Sequence, residues 1–484
     1  MSRAYAGWPT CSPTWPPDDR PDPATAATDA TAPTGAGRPV PRHHQRYHAE
    51  YAWLPDRPEP DADVLVEIVD GRFTAVTPGV PVPPPDARRL SGLTLPGLAN
   101  AHSHAFHRAL RGRSHGHRGD FWDWRQQMYA VAARLDPERY LALARATYAE
   151  MALAGITCVG EFHYLHHAPD GSPYADPNVM GAALVEAAAQ AGIRLTLLDT
   201  CYLTATVDGK PLTGPQVRFG DGDAARWAER AAALRPSGGH ARVGAAIHSV
   251  RAVPAEQLAE VAGWAADRAA PLHVHLSEQP AENEACLAYH GRTPTGLLAE
   301  AGALGPATTA VHATHLTDAD RLLLGGGTGV CLCPTTERDL ADGIGPARAL
   351  ADAGSPISLG SDSHAVIDIF EEARAMELDE RLHTLARGHF SAAELVRAGT
   401  AAGHAALGWP DAGRLAPGGR ADLVTVRLDS VRTAGVPPVG AFFAAGATDV
   451  TDVLVDGRPV VRDGRHLRLD VPAELVSAIA AVAP

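Results

Sequence analysis

Short apolar runs with strand character alternate with helical patterns through the middle of this chain, and that alternation limits the fold more than any other feature. Strands are expected at 158–164, 194–201, 242–249, 271–276, 309–313, 329–334 and 356–360. Helices are expected between them, at 138–154, 178–191, 223–234, 255–269, 281–301, 318–324 and 346–353. The run Leu93-Thr94-Leu95, ending at Pro96-Gly97 ahead of His102, adds an eighth strand. Strands separated by helices pair in parallel, because the connection must cross back over the sheet. Eight such units over about 300 residues suit a closed (β/α)8 barrel of the TIM type. The expected class is therefore α/β, with the barrel over residues 96–410. In that fold the chemistry sits at the C-terminal ends of the strands.

The flanks read differently. Residues 64–69 and 72–76 are strand runs around Asp70-Gly71, a hairpin signal. Near the other end, 421–426 and 450–455 read as strands, and Asp456-Gly457 turns into 459–461. The two ends are expected to build one small β domain from 47–95 and 411–484. Residues 1–46 are rich in Pro, Ala, Thr and Asp with few apolar clusters. Such a segment buries too little surface to offset its ordering entropy, so a disordered tail is expected.

Composition narrows the partners. A net charge of −14 over 484 residues disfavours nucleic acid or an anionic membrane surface. No apolar run approaches the roughly 18 residues a membrane span needs. The N-terminus lacks the apolar core of a signal peptide. The six cysteines are scattered without CxxC spacing, as free thiols in a reducing compartment would be, and a cytoplasmic location is expected.

The strand ends carry the chemistry. The first strand leads to His102 and His104, and side chains at i and i+2 of an extended segment share one side. The fifth reads Pro271-Leu-His-Val-His-Leu-Ser-Glu278, the sixth carries His312 and the eighth delivers Asp362. Three imidazoles, one carboxylate and a water make a catalytic zinc site with an open position. A polar residue bound to a loop accounts for any one of these. It accounts poorly for the same placement in four units.

These motifs resemble the amidohydrolase superfamily, in its mononuclear deaminase branch, over the chain from about residue 47 onward. The resemblance implies His102, His104, His275 and Asp362 as metal ligands, His275 rather than His273 because it precedes Glu278 by three residues. It implies Glu278, His312 and Asp362 as catalytic groups. The binuclear branch needs a bridging lysine at a strand end, whereas the only lysine, Lys210, follows Val207-Asp-Gly in a loop-like stretch. One zinc per chain is therefore expected, with iron the alternative for the same ligands.

More narrowly, the segments 100–110, 121–129, 161–167, 311–318 and 333–337 resemble the formimidoylglutamate deiminase family. That resemblance implies substrate contacts from Arg125, Tyr164, His248 and Arg251. His107 stands where the family commonly has Gln, and an imidazole can still donate one hydrogen bond. Independently, Arg125 and Arg251 follow the first and fourth strands, and arginine forks bind carboxylates bidentately. The resemblance implies hydrolytic deimination of a small dicarboxylate, N-formimidoyl-L-glutamate, in histidine degradation. The rivals are a purine or pyrimidine deaminase with the same metal site, and a non-catalytic barrel. A homodimer is expected.

Overall fold

The computed structural model describes residues 44–113 and 121–483. The expected tail lies outside them up to residue 43, and the first strand starts at His44, three residues before the expected boundary. The strands in chain order are β1 (His44–Ala52), β2 (Asp61–Val69), β3 (Arg72–Thr77) and β4 (Arg88–Pro96), then β5 (Leu98–Ser103), β6 (Ile156–His163), β7 (Arg194–Cys201) and β8 (Ala241–Ile247). They continue with β9 (Leu272–Leu276), β10 (Thr308–His312), β11 (Gly329–Leu332) and β12 (Ile357–Leu359), and end with β13 (Leu423–Val426), β14 (Val450–Val455), β15 (Arg458–Arg462) and β16 (Arg465–His466).

These strands form two sheets. One runs β16-β15-β14-β13-β4-β1-β2-β3 and the other β12-β11-β10-β9-β8-β7-β6-β5. The first is the small β domain from both chain ends. Its hairpins turn on Asp70-Gly71 and Asp456-Gly457, with φ of 49° and 77° and of 48° and 71°. Positive φ at both turn residues matches the twist of the flanking strands. On β2 the side chains of Val64, Val66 and Ile68 are buried in alternation, the period of a strand covered on one face. The ends meet where β4 pairs with β13, Thr94 opposite Thr425, their hydroxyls 2.9 Å apart.

The second sheet is the parallel barrel. Every residue of β6 and β7 is buried, as strands covered on both faces must be. Closure comes from a parallel bridge between Ser103 and Asp362. Asp362 N donates to His102 O at 3.0 Å, and His104 N donates to Asp362 O at 3.3 Å.

Three expectations need correction. Leu93-Thr94-Leu95 is not the first barrel strand but part of β4 in the mixed sheet, and the barrel begins one turn later with β5, which carries His102 itself. Pro96-Gly97 is the crossing point between the sheets. A Cβ on Gly97 would lie 2.4 Å from Thr157 Oγ1 and 2.8 Å from Asp422 Cβ, so glycine leaves the room that the Thr157 and Asp422 side chains fill. The expected helix at 281–301 is two helices, Pro280–His290 and Pro294–Glu300. Gly291 turns left-handed at φ 64°, and the Thr293 side chain accepts from Gly296 N to start the next helix. Helices at Phe121–Ala132, Ile369–Thr384 and Val471–Val482 were not anticipated. The second of these follows the last barrel strand and is capped by Asp368, which accepts from Phe370 N and Glu371 N.

A buried ion pair ties the sheets together. Arg194, at the start of β7, forks onto Asp422, just before β13, and both side chains are fully buried. No described helix is long and apolar enough to cross a membrane.

Candidate active site

The barrel seam builds the centre of the site. His102 is the next-to-last residue of β5, and His104 follows the strand, also extended at φ −127°. Ser103 between them points the other way, donating to Glu161 Oε2 at 2.9 Å. Glu161 also accepts from Ala105 N at 2.6 Å, so one buried carboxylate holds the residues on both sides of His104. The residues around the site adopt left-handed backbone without being glycine: Ser277 at φ 51°, His312 at 68°, Asp362 at 39° and His364 at 59°. Such conformations cost about 1–3 kcal/mol each and persist where surrounding structure enforces them.

Asp362 Oδ1 lies 3.2 Å from His102 Nε2 and 3.4 Å from His104 Nε2, and His102 Nε2 lies 3.1 Å from His275 Nε2. His104 Nδ1 donates to Phe162 O at 2.9 Å, which leaves the lone pair of Nε2 facing Asp362. Single donor atoms of His102, His275, His312 and Asp362 fall within 4.8 Å of one another, and His104, His107 and Asp362 form a second such group. Asp362 is common to both.

The donor set suits a divalent cation. Two ring nitrogens 3.1 Å apart can share at most one proton, and burial holds His102 and His275 below the ordinary imidazole value and His104 down to about 3. Burial would raise Asp362, but the surrounding imidazoles, His102 foremost, hold it well below the usual carboxylate range. Neutral imidazoles and an ionised carboxylate are the ligating forms.

Glu278 lies beside this cluster, next to its member His312. Burial pushes Glu278 up to about 7, against the opposing pull of His312 and with a contribution from Asp362. His312 Nε2 lies 3.8 Å from Glu278 Oε1 and 3.9 Å from Asp362 Oδ2, and its Nδ1 lies 3.5 Å from Glu337 Oε1. Burial disfavours charge on His312, yet these carboxylates raise it well above its ordinary value.

One cavity gathers the remaining residues. His107, Arg125, Tyr164, His248 and Arg251 all line it, together with His104, His275, Glu278, His312 and Asp362. His107 Nε2 lies 3.1 Å from the Tyr164 hydroxyl, and both residues belong to the cavity wall. A second cavity of about 410 Å³ adjoins it and shares Arg251, Glu278 and Glu282. The sequence reading missed Tyr129, Tyr202, Phe219 and Glu282 among the lining residues. Tyr202 directly follows β7, so the rule of inspecting strand ends would have found it had tyrosine been considered alongside His, Glu and Asp.

Other candidates fall elsewhere. His273 is buried with Nε2 on Ala406 O at 3.0 Å. Lys210 is exposed in a loop and paired with Asp208 at 3.5 Å. His166 and His167 belong to a buried network, bonding Thr200 O and Asp221 Oδ1 at 3.0 Å each. The five described cysteines are all free and buried.

Comparison with known proteins agrees with this geometry. The chain is 40% identical over 397 residues to the formimidoylglutamate deiminase of Pseudomonas aeruginosa, covering 78% of this chain and 87% of that one. It superposes on a crystal structure of an amidohydrolase from Brucella melitensis with a TM-score of 0.84 and 33% identity, over 91% of this chain and all of that one. An adenosine deaminase from Xanthomonas campestris, solved with bound zinc, superposes with a TM-score of 0.77 at 26% identity, over 90% of this chain and 97% of that one. The profile of the amidohydrolase family matches residues 93–460. With its closed parallel barrel and the His/Asp cluster at the strand ends, the chain belongs to the amidohydrolase family.

Proposed function

We propose that this enzyme hydrolyses N-formimidoyl-L-glutamate to N-formyl-L-glutamate and ammonia, with His102, His104, His275 and Asp362 holding one zinc ion. The observation that carries the substrate is the presence of Arg125 and Arg251 in the cavity that also holds Glu278 and the His/Asp cluster. A doubly anionic ligand without such partners would lose its hydration at high cost. The relative named for this activity, at 40% identity, supports the same reading.

A divalent cation at these donors supplies Lewis acidity, bringing the ionisation of water toward a pKa of about 7. Asp362, held ionised by its imidazole neighbours, takes the proton of the attacking water. Attack falls on the formimidoyl carbon. Glu278, in the protonated form that burial favours, delivers a proton to the imino nitrogen and then assists ammonia to leave. His312, kept cationic by Glu278, Glu337 and Asp362, stabilises negative charge on the added oxygen. Arg125, Arg251, Tyr164, His248 and His107 hold the two carboxylates and fix the carbon at the point of attack.

One observation favours a purine deaminase instead: Trp124, Tyr129, Tyr202 and Phe219 give the cavity aromatic walls on which a flat ring can stack. Steady-state kinetics on formimidoylglutamate, guanine and adenosine separate the two. Turnover confined to a purine would overturn the proposal.

A further inference from the structure

We propose that Tyr202 is a substrate-binding residue, donating its hydroxyl proton to one carboxylate of the substrate beside Arg251. This rests on the dicarboxylate reading above and extends it to a residue outside the expected contact set. Tyr202 follows the last residue of β7, is buried, and lines the cavity. Its hydroxyl oxygen accepts two hydrogen bonds, from Arg251 Nη1 at 3.3 Å and from Gln216 Nε2 at 3.1 Å. Neither a guanidinium nor an amide NH2 group can accept a proton in return. The single hydroxyl proton is therefore turned away from both and is left for a third partner. Rings on two sides keep the phenol from swinging: His248 at 4.2 Å between centroids and Phe219 at 5.3 Å.

The charges around Tyr202 select what that partner is. Burial opposes ionisation of the phenol, yet Arg251 and Arg125 outweigh it and pull the group below its ordinary value. A site with that much positive potential suits an anionic acceptor, and a carboxylate there meets an O–H from Tyr202 and N–H groups from Arg251 together. Gln216 serves the contact from behind. It is buried in the short helix Gly214–Arg218 and aims Tyr202 without facing the same ligand.

The test is calorimetric binding of N-formyl-L-glutamate and of its two mono-amides, so the outcome does not depend on turnover. Tyr202→Phe removes only the hydroxyl. It is expected to weaken binding of the diacid about tenfold or more, the range of a charge-assisted hydrogen bond. It should cost much less for the mono-amide that lacks the matching carboxylate. Equal losses on all three ligands would mean that Tyr202 shapes the cavity without meeting a carboxylate, and would overturn the inference. So would unchanged binding of the diacid. If wild-type enzyme turns over formimidoylglutamate while the variant shows either result, this inference alone fails. If wild-type enzyme binds no dicarboxylate, the substrate reading fails with it.

Discussion

Asp362 meets His102 twice: its carboxylate lies 3.2 Å from the imidazole Nε2, and its amide donates to the His102 carbonyl at 3.0 Å. The step that closes the barrel is thus the step that completes the donor cluster. A folded barrel with a misaligned seam would lack the cluster even with every ligand residue present.

Metal removal tests this coupling. Elemental analysis is expected to find one divalent ion per chain. Chelation should lower Tm, because an ion that binds only the folded state stabilises it by about 2.7 kcal/mol at a hundred times its Kd. Two tightly bound ions per chain would contradict the single-site assignment.

Glu278→Gln should retain metal and substrate binding and lower kcat by about a hundredfold or more, the usual worth of a positioned acid or base. The wild-type pH profile carries a second expectation. Glu278 acts as a proton donor and is raised to about 7, so its active form dominates below that pH and kcat/KM falls as pH rises through it. A flat alkaline limb would remove Glu278 from the donor role.

Arg251→Met should lower kcat/KM for formimidoylglutamate by about ten- to a hundredfold, from a charge-assisted contact of about 1.5–3 kcal/mol. The penalty should shrink on an analogue lacking the matching carboxylate, and a cycle over protein and substrate isolates that difference. Arg125→Met should show the same pattern with the other carboxylate.

At the opposite end of the barrel, Arg194→Met should destabilise the fold by about 3–5 kcal/mol, because it strands the buried carboxylate of Asp422. Arg194→Met combined with Asp422→Leu should recover part of that loss in chemical denaturation. No recovery would show that the pair's other contacts, such as Asp422 Oδ1 with Asp456 N at 2.8 Å, carry the stability.

Glu372 predicts a pH effect on stability. It is fully buried against Thr335 N at 2.9 Å, and burial raises it well above its ordinary value. The native state therefore keeps a proton that the unfolded chain releases above about pH 4.5, and stability falls as pH rises beyond that point. Glu372→Gln should flatten the slope of denaturation midpoints measured from about pH 5 to about pH 8. An unchanged slope would assign the effect to another group.

Much of the site was legible because the barrel converts strand order into position. His102, His104, His275, Glu278, His312 and Asp362 each sit at or just past a strand end, so the alternation drew attention to these ends, while the family resemblance chose His275 over His273. Arg125 and Arg251 followed from the same logic, and both line the cavity. Tyr202 was missed only because its residue type drew no attention. Glu161 and Glu337 lay within segments that carry the resemblance, but their roles were illegible: a carboxylate that bonds the Ala105 amide or faces the His312 ring is defined by a partner far away in the chain.

The sequence by itself determined the eight-unit alternation, the Asp-Gly hairpins and the residue types at the strand ends, because periodicity and turn chemistry are written within a few neighbouring residues. Tertiary structure alone decided which sheet each strand joined. Leu93-Thr94-Leu95 has the pattern of a barrel strand, yet it pairs with β13 through Thr94 and Thr425, which are 331 residues apart. The same holds for Arg194 with Asp422, 228 residues apart, and for Tyr202 between Gln216 and Arg251. Contacts across such separations depend on the whole chain closing on itself, and no local stretch of residues specifies them.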